Sequence, residues 1–226
     1  MTSAPVIIHI NTALQDAVLS ISRGNQLIET FTNNIQKEHA SIVHTVIRDL
    51  LRSGNLEMSQ VDAISVVAGP GSYTGLRVGI ASAKGLSYAL HKPIISIGTL
   101  ELMAMQAIRS CNFQDQYYCP MIDARRMEVY TAIYDNKLQE VMKPTAVVLD
   151  KSPLHLLSDK PTIYFGDGAM KLKVHDPAIS YHQFTANCQA MIDMSLKVYF
   201  NGSFVDVVTL NALYIKEFFT ITKTVK

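Results

Sequence analysis

The spacing of apolar residues changes several times along the first hundred residues. Runs that are continuously apolar or alternate with polar residues predict strands, whereas apolar residues repeated every three or four positions predict amphipathic helices. The predicted order is three strands in a hairpin meander, then helix, strand, helix, strand, helix. The predicted ranges are 6–10, 17–22, 26–32, 35–51, 63–68, 74–90, 94–97 and 99–110. This alternation indicates an α/β fold.

The pattern restarts after a polar joint near residue 111. A second hairpin is predicted from 117–122 and 128–134, followed by a strand at 162–165 and a helix at 187–200. Both halves therefore begin with hairpin strands and then add helices. We predict two subdomains of related architecture, 1–110 and 111–206, with a carboxy-terminal segment, 207–226, that packs back on the first.

The composition is that of a folded chain with little affinity for nucleic acid. Hydrophobic residues make up 48% and charged residues 17%, and the net charge is +1 without a basic cluster. Binding to a phosphate backbone needs several clustered cations, so we expect contact with RNA only through a partner. The sequence also shows no signal peptide and no membrane span, and its three cysteines fit a reduced, cytoplasmic setting.

Five of the eleven glycines fall between residues 69 and 85. A strand that turns through Gly-Pro-Gly into a helix can present backbone N–H groups to an anion, which makes this turn a possible phosphate-proximal or nucleotide-proximal loop. The alternative is close packing, because glycine and alanine recur every four residues along the helix. The candidate loop residues are Gly69, Gly71, Ser72, Thr74 and Gly75.

Known catalytic and metal-binding motifs do not match this chain. The glycine spacing fits neither the Walker A loop nor the dinucleotide-binding pattern. His39 and His44 are five residues apart, which separates them by roughly 140° around a helix, whereas two metal ligands on one face need a four-residue step. Ser72 lacks the nucleophile elbow of hydrolases.

A cluster of charged residues occupies the turn of the second hairpin. Asp123, Arg125, Arg126 and Glu128 could form a polar site, or simply a solvated turn with internal ion pairs. The sequence leaves both readings open.

Three segments in order resemble the bacterial TsaB/YeaZ family of threonylcarbamoyladenosine-biosynthesis proteins. They are VVAGPGSYTGLRVGIASAKGL at 66–86, IGTLELMA at 97–104 and MIDARRMEVYTAIY at 121–134. Weaker matches are FGDGA at 165–169 and LYIK at 213–216. The resemblance implies an actin, Hsp70 and sugar-kinase-like (ribonuclease H-like) fold with two subdomains, each a β-meander plus helices. It also marks Asp123, Arg125 and Arg126 as the family-motif hairpin.

The resemblance further implies a scaffold rather than an enzyme. Family members help to place a threonylcarbamoyl group on the adenosine next to the anticodon of tRNAs that read codons starting with A. They act with a catalytic paralogue, TsaD, and an ATPase, TsaE. On this basis we expect no intrinsic cofactor or metal, ATP or ADP and a divalent metal held by the partners, a homodimer, and tRNA contact only through the complex.

One residue departs from the superfamily pattern. The first strand usually ends in an acidic residue that acts through a cation on a nucleotide phosphate, and here Asn11 stands in that position. An amide oxygen is a poorer magnesium ligand and no base. Asn11 disfavours a free-standing small-molecule kinase, and the spacing of His39 and His44 disfavours a glycoprotein metallopeptidase, so both are kept only as alternatives.

The first two helices are predicted to form the partner or dimer interface. The helix at 35–51 has more apolar residues than one packing face needs, and the glycine stripe of the next helix allows close approach. The alternative is that these residues face the chain's own core. The candidate interface residues are His39, Val43, Val46, Ile47, Leu50, Gly75, Gly79 and Ala83.

Overall fold

A computed structural model describes residues 4–35, 39–111, 115–149, 160–172, 181–182 and 188–215, without the side chains of 39, 40, 181 and 182. These residues form two five-stranded sheets with helices packed against them. The fold is α/β, as the sequence predicted, and each sheet contains an antiparallel meander of three successive strands.

The first sheet has the strand order β3-β2-β1-β4-β5. Strand β1 is antiparallel to β2 and parallel to β4, so it lies at the centre and is buried on both faces. Its apolar side chains alternate accordingly: Ile8 and Ile10 pack against α1 and α2, and Ile7 packs against α3 and α4. The elements are β1 (Val6–Asn11), β2 (Ala17–Arg23), β3 (Gln26–Asn33), α1 (His39–Ser53), β4 (Ala63–Gly69), α2 (Tyr73–Leu90), β5 (Ile94–Gly98), α3 (Thr99–Ser110) and α4 (Cys188–Asn201).

The second sheet has the order β10-β9-β6-β7-β8. Helix α3 joins the two sheets, because Leu102 packs into the first core and Leu100 and Ala104 pack against the second sheet. The elements are β6 (Tyr117–Asp123), β7 (Glu128–Tyr134), β8 (Glu140–Val148), β9 (Thr162–Phe165), a 3-10 helix (Asp167–Lys171) and β10 (Tyr181–His182).

Apart from the two-residue strand β10 and the 3-10 helix, which were not predicted, the structure differs from the sequence prediction in three respects. Helix α1 begins at His39, and Ile35 lies outside it, half exposed, with its N–H donated to Asn33 Oδ1. Strand β8 was missed. It contains Pro144, which an edge strand tolerates because one side of its backbone pairs with no other strand.

The third difference concerns α4, which follows the second sheet in the sequence but packs on the first through Ala190, Met191 and Met194. The range 111–206 is therefore not a single packing unit. Within 207–226, Val207, Leu210 and Ala212 contact the first core, and residues 216–226 lie outside the described part of the chain.

Most of the predicted interface residues belong to the chain's own core. Val43, Ile47, Leu50 and Ala83 are buried in the first core, and Val46 is half-buried against it. The surplus of apolar residues on α1 packs against the first sheet and α2, so these side chains cannot form an exposed contact face. The His39 side chain lies outside the described residues.

Candidate functional site

A cleft of about 1020 Å³ lies between the two sheets. One wall is the β4–α2 turn with the β1–β2 loop, and the other is the β6–β7 hairpin with Asp167. The sequence-predicted loop residues Gly71, Ser72 and Thr74 and all three hairpin residues lie in this cleft. Gly69 and Gly75 are buried behind it. The fold thus brings together two motifs that are far apart in the sequence.

The glycines of the β4–α2 turn are required by the backbone of the β1–β2 loop. A Cβ on Gly71 would overlap the carbonyl oxygen of Ala13, and a Cβ on Gly75 would overlap that of Thr12. Ser72 caps α2 by accepting the Gly75 N–H at 3.3 Å, and its own N–H donates to Ala13 O at 2.7 Å. Close packing inside the chain therefore explains these glycines.

The two residues at the end of β1 make hydrogen bonds to the backbone of the same chain. Asn11 Oδ1 accepts the N–H of Ala13 at 3.2 Å, and the buried Thr12 hydroxyl donates to Gly75 O at 2.7 Å. The position that is usually acidic in the superfamily is thus occupied by a neutral amide that closes a local turn. It supplies neither the negative charge nor the base of a phosphotransfer site.

The carboxy-terminal segment forms part of the same wall. Leu213 N–H donates to Ala68 O at 2.8 Å, and a Cβ on Gly69 would lie 2.8 Å from Leu213 O. Tyr214 packs its ring 5.6 Å from that of Tyr73, and its hydroxyl accepts from Arg77 Nε at 3.2 Å. The aromatic contacts at this end of the cleft therefore join α2 to the segment, a role that no sequence motif indicated.

The β6–β7 hairpin is fixed to the 3-10 helix by Lys171. Its ammonium donates to Asp123 Oδ1 at 2.5 Å and to Glu128 O at 2.9 Å, and Asp123 N–H donates to Asp167 Oδ1 at 3.0 Å. Burial raises the pKa of Asp123, but the hydrogen bonds from Lys171 and from the Arg125 N–H outweigh it and hold that pKa below its usual value. Asp123 is thus a structural carboxylate.

Two consecutive arginines form the tip of this hairpin. Arg125 and Arg126 have φ angles of 67° and 48°, in the left-handed region that L-residues with side chains rarely adopt. Each costs about 1 kcal/mol relative to glycine. Both residues are exposed, and neither guanidinium has a hydrogen bond or ion pair among the described residues. Among the described residues, the ion pair at this turn is made by Asp123 with Lys171 of the 3-10 helix, and not between residues of the turn.

A buried polar network lies beneath the first sheet, outside the cleft. His9 Nε2 lies 2.9 Å from Ser22 Oγ and its Nδ1 lies 3.3 Å from Ser195 Oγ, which is 2.8 Å from Ser65 Oγ. Complete burial lowers the pKa of His9 to about 3, so the ring is neutral. The network connects α4 to β1, β2 and β4 and is structural.

Two kinds of feature are absent from the described part of the chain. No three His, Cys, Asp or Glu side chains come together there in a group that could hold a metal ion. No helix within those ranges has both the length and the apolar composition of a membrane span.

Comparison with known proteins places this geometry in a family. A family model described as TsaD: tRNA N6-adenosine threonylcarbamoyltransferase matches residues 26–200. The tRNA threonylcarbamoyladenosine biosynthesis protein TsaB of Bacillus subtilis (strain 168) is 30% identical over 164 residues, which are 71% of this chain and 70% of that protein. The chain belongs to the TsaB/YeaZ family.

Solved structures agree with the fold. YeaZ from Pseudomonas aeruginosa superposes with a TM-score of 0.76 at 20% identity, over 93% of this chain and 99% of that one. An inorganic polyphosphate/ATP-glucomannokinase from Arthrobacter sp. strain KM superposes with a TM-score of 0.51 at 11% identity, over 87% of this chain and 99% of the kinase. The actin, Hsp70 and sugar-kinase-like fold implied by the sequence resemblance is confirmed.

Proposed function

We propose that this chain is a non-catalytic accessory subunit in threonylcarbamoyladenosine biosynthesis, needed to modify the adenosine next to the anticodon of tRNAs that read codons starting with A. Membership of the TsaB/YeaZ family carries the proposal, since the B. subtilis relative is named for this pathway. The modification reaction then takes place on a TsaD-type catalytic partner, with a TsaE-type ATPase as a third component.

The end of β1 supports a non-catalytic role. In a phosphotransferase of this fold, an acidic residue at this point would hold a cation near the phosphate. Here Asn11 closes a turn of the β1–β2 loop, and that loop packs against Gly71 and Gly75 of the neighbouring turn. We therefore assign no cofactor or metal to catalysis on this chain, and we assign ATP or ADP and a divalent metal to the partner subunits.

The exposed face of α2 suggests where a partner packs. Gly85 lies inside the helix, and a Cβ there would meet no atom within 4 Å. Glycine in a helix costs about 1 kcal/mol relative to alanine, and no contact with the described residues compensates for it. Ala81 and Tyr88 are exposed on the same face, with Tyr88 78% exposed. We place the α2 part of a homodimer or paralogue interface on this face, in place of the buried residues predicted from the sequence.

We also propose that the chain contacts tRNA only through the complex and that it is located in the cytoplasm. A net charge of +1 without a basic cluster supports binding of tRNA through the complex rather than by this chain alone. The three cysteines are free, and burial raises the pKa of the Cys119 thiol to about 12, which suits a reduced cytoplasmic protein.

Two measurements test the proposal. The purified chain should co-purify with the TsaD-type paralogue from the same cell when both are expressed together, and it should not turn over ATP with magnesium by itself. Sustained ATP turnover by the isolated chain would instead favour the small-molecule kinase. Failure of the paralogue to associate, with or without the ATPase, would contradict the accessory role.

A further inference from the structure

The side chains at the tip of the β6–β7 hairpin serve no purpose inside the described part of the chain. Two acidic residues that line this cleft are engaged elsewhere: Asp123 is held by Lys171, and Asp167 accepts the backbone N–H of Asp123. Both guanidinium groups are left without a partner among the described residues.

The backbone conformation at the tip is a second sign that the two arginines have a function other than stabilising the hairpin. Glycine adopts left-handed φ angles without a steric penalty, so glycine at 125 and 126 would give a more stable hairpin. The chain instead carries two arginines there. Strain of this kind persists at functional sites, where the side chain is used for something other than stability. The described part of the chain offers no such use, which favours a role for the two arginines in contact with another molecule.

We propose that Arg125 and Arg126 dock carboxylates on the surface of a partner protein. This inference rests on the proposed function, in which the chain works inside a complex. The guanidinium fork matches a carboxylate with two parallel hydrogen bonds, and arginine is enriched at protein interfaces. Lys171 holds the base of the hairpin through Asp123 and Glu128, so the tip is presented from a fixed support.

The surrounding charges favour a protein over a phosphate ligand or RNA. Asp123, Glu128 and Asp167 line the same wall, and they weaken the field that a multiply charged phosphate would experience. A mixed surface of acidic and basic residues fits the alternating charges of a protein interface.

The test is the double variant R125G/R126G, measured against the purified TsaD-type paralogue and the TsaE-type ATPase separately. We expect its melting temperature to equal or exceed that of the wild type, because glycine relieves the strain. We also expect its Kd for one of the two partners to rise about tenfold and to depend less on salt. R48A removes an exposed arginine from α1 and should leave the Kd unchanged.

The outcomes separate this proposal from the accessory role. Equal Kd values for wild type and double variant, with both partners bound, would overturn the docking role and leave the accessory role intact. Loss of pyrophosphate, ATP or tRNA binding by the isolated variant, with unchanged partner affinity, would also overturn it. Failure of the wild-type chain to bind either partner would overturn both. The double variant R125Q/R126Q removes both positive charges without introducing glycine. Its Kd for the same partner should rise by the same factor.

Discussion

Gly75 and Gly85 lie on the same helix in opposite environments. A Cβ on Gly75 would overlap the Thr12 carbonyl oxygen, whereas a Cβ on Gly85 would meet nothing within 4 Å. Gly75→Ala should therefore lower the free energy of unfolding by about 2 kcal/mol or more, because backbone must move. Gly85→Ala should raise it by about 1 kcal/mol. Urea denaturation of both variants measures this, and a Gly75→Ala variant as stable as wild type would show that the close approach is unimportant.

His9 makes the stability depend on pH. Its pKa is about 3 in the folded chain and about 6.5 when unfolded, so the unfolded state binds the proton more readily. Its contribution to the free energy of unfolding is complete above pH 6.5 and is lost as the pH falls towards 3, by up to about 5 kcal/mol. Unfolding of wild type and His9→Gln between pH 7 and pH 4 measures it, with the variant expected to lose less stability. An identical loss in both would assign the acid sensitivity to other groups.

At the level of elements, Lys171 should hold the β6–β7 hairpin in place. Its side chain is 16% exposed and donates to two acceptors on the hairpin. Lys171→Met should lower the free energy of unfolding by about 1 kcal/mol, after allowance for solvent screening at the more exposed Asp123. It should also raise the pKa of the Asp123 carboxyl. Carboxyl titration by NMR and thermal unfolding measure the two effects. Lys143→Met, on the exposed edge strand β8, is the control and should change neither value.

Some helices and strands could be predicted from the sequence, and others could not. Strands β1 and β4 and helix α2 follow directly from their apolar spacing and turn residues. The start of α1 was misplaced because Ile35 continues the apolar period although it lies outside the helix. Strand β8 was missed because Pro144 and Lys143 interrupt its pattern, and only its position at the sheet edge makes them acceptable.

For the whole molecule, local sequence could identify the glycine turn and the charged hairpin but not their juxtaposition. That depends on the parallel and antiparallel pairing around β1 and β6 and on α3, which packs against both sheets. The apolar surplus of α1 suggested an interface because sequence periodicity does not reveal that the first sheet and α2 cover that face. Lys171 had no local signal, and the weak LYIK match at 213–216 did not indicate the contact of Tyr214 with Arg77, since each side chain acts on a residue far away in the chain.

The central claim is that the chain supports threonylcarbamoylation without catalysing it. The most direct measurement is the amount of threonylcarbamoyladenosine in digested tRNA after reaction with the complete set of subunits, with each subunit omitted in turn, and with this chain alone. We predict product from the complete mixture, a large loss when this chain is omitted, and none from the chain alone. Product formed by the chain alone, or undiminished product in its absence, would contradict the account.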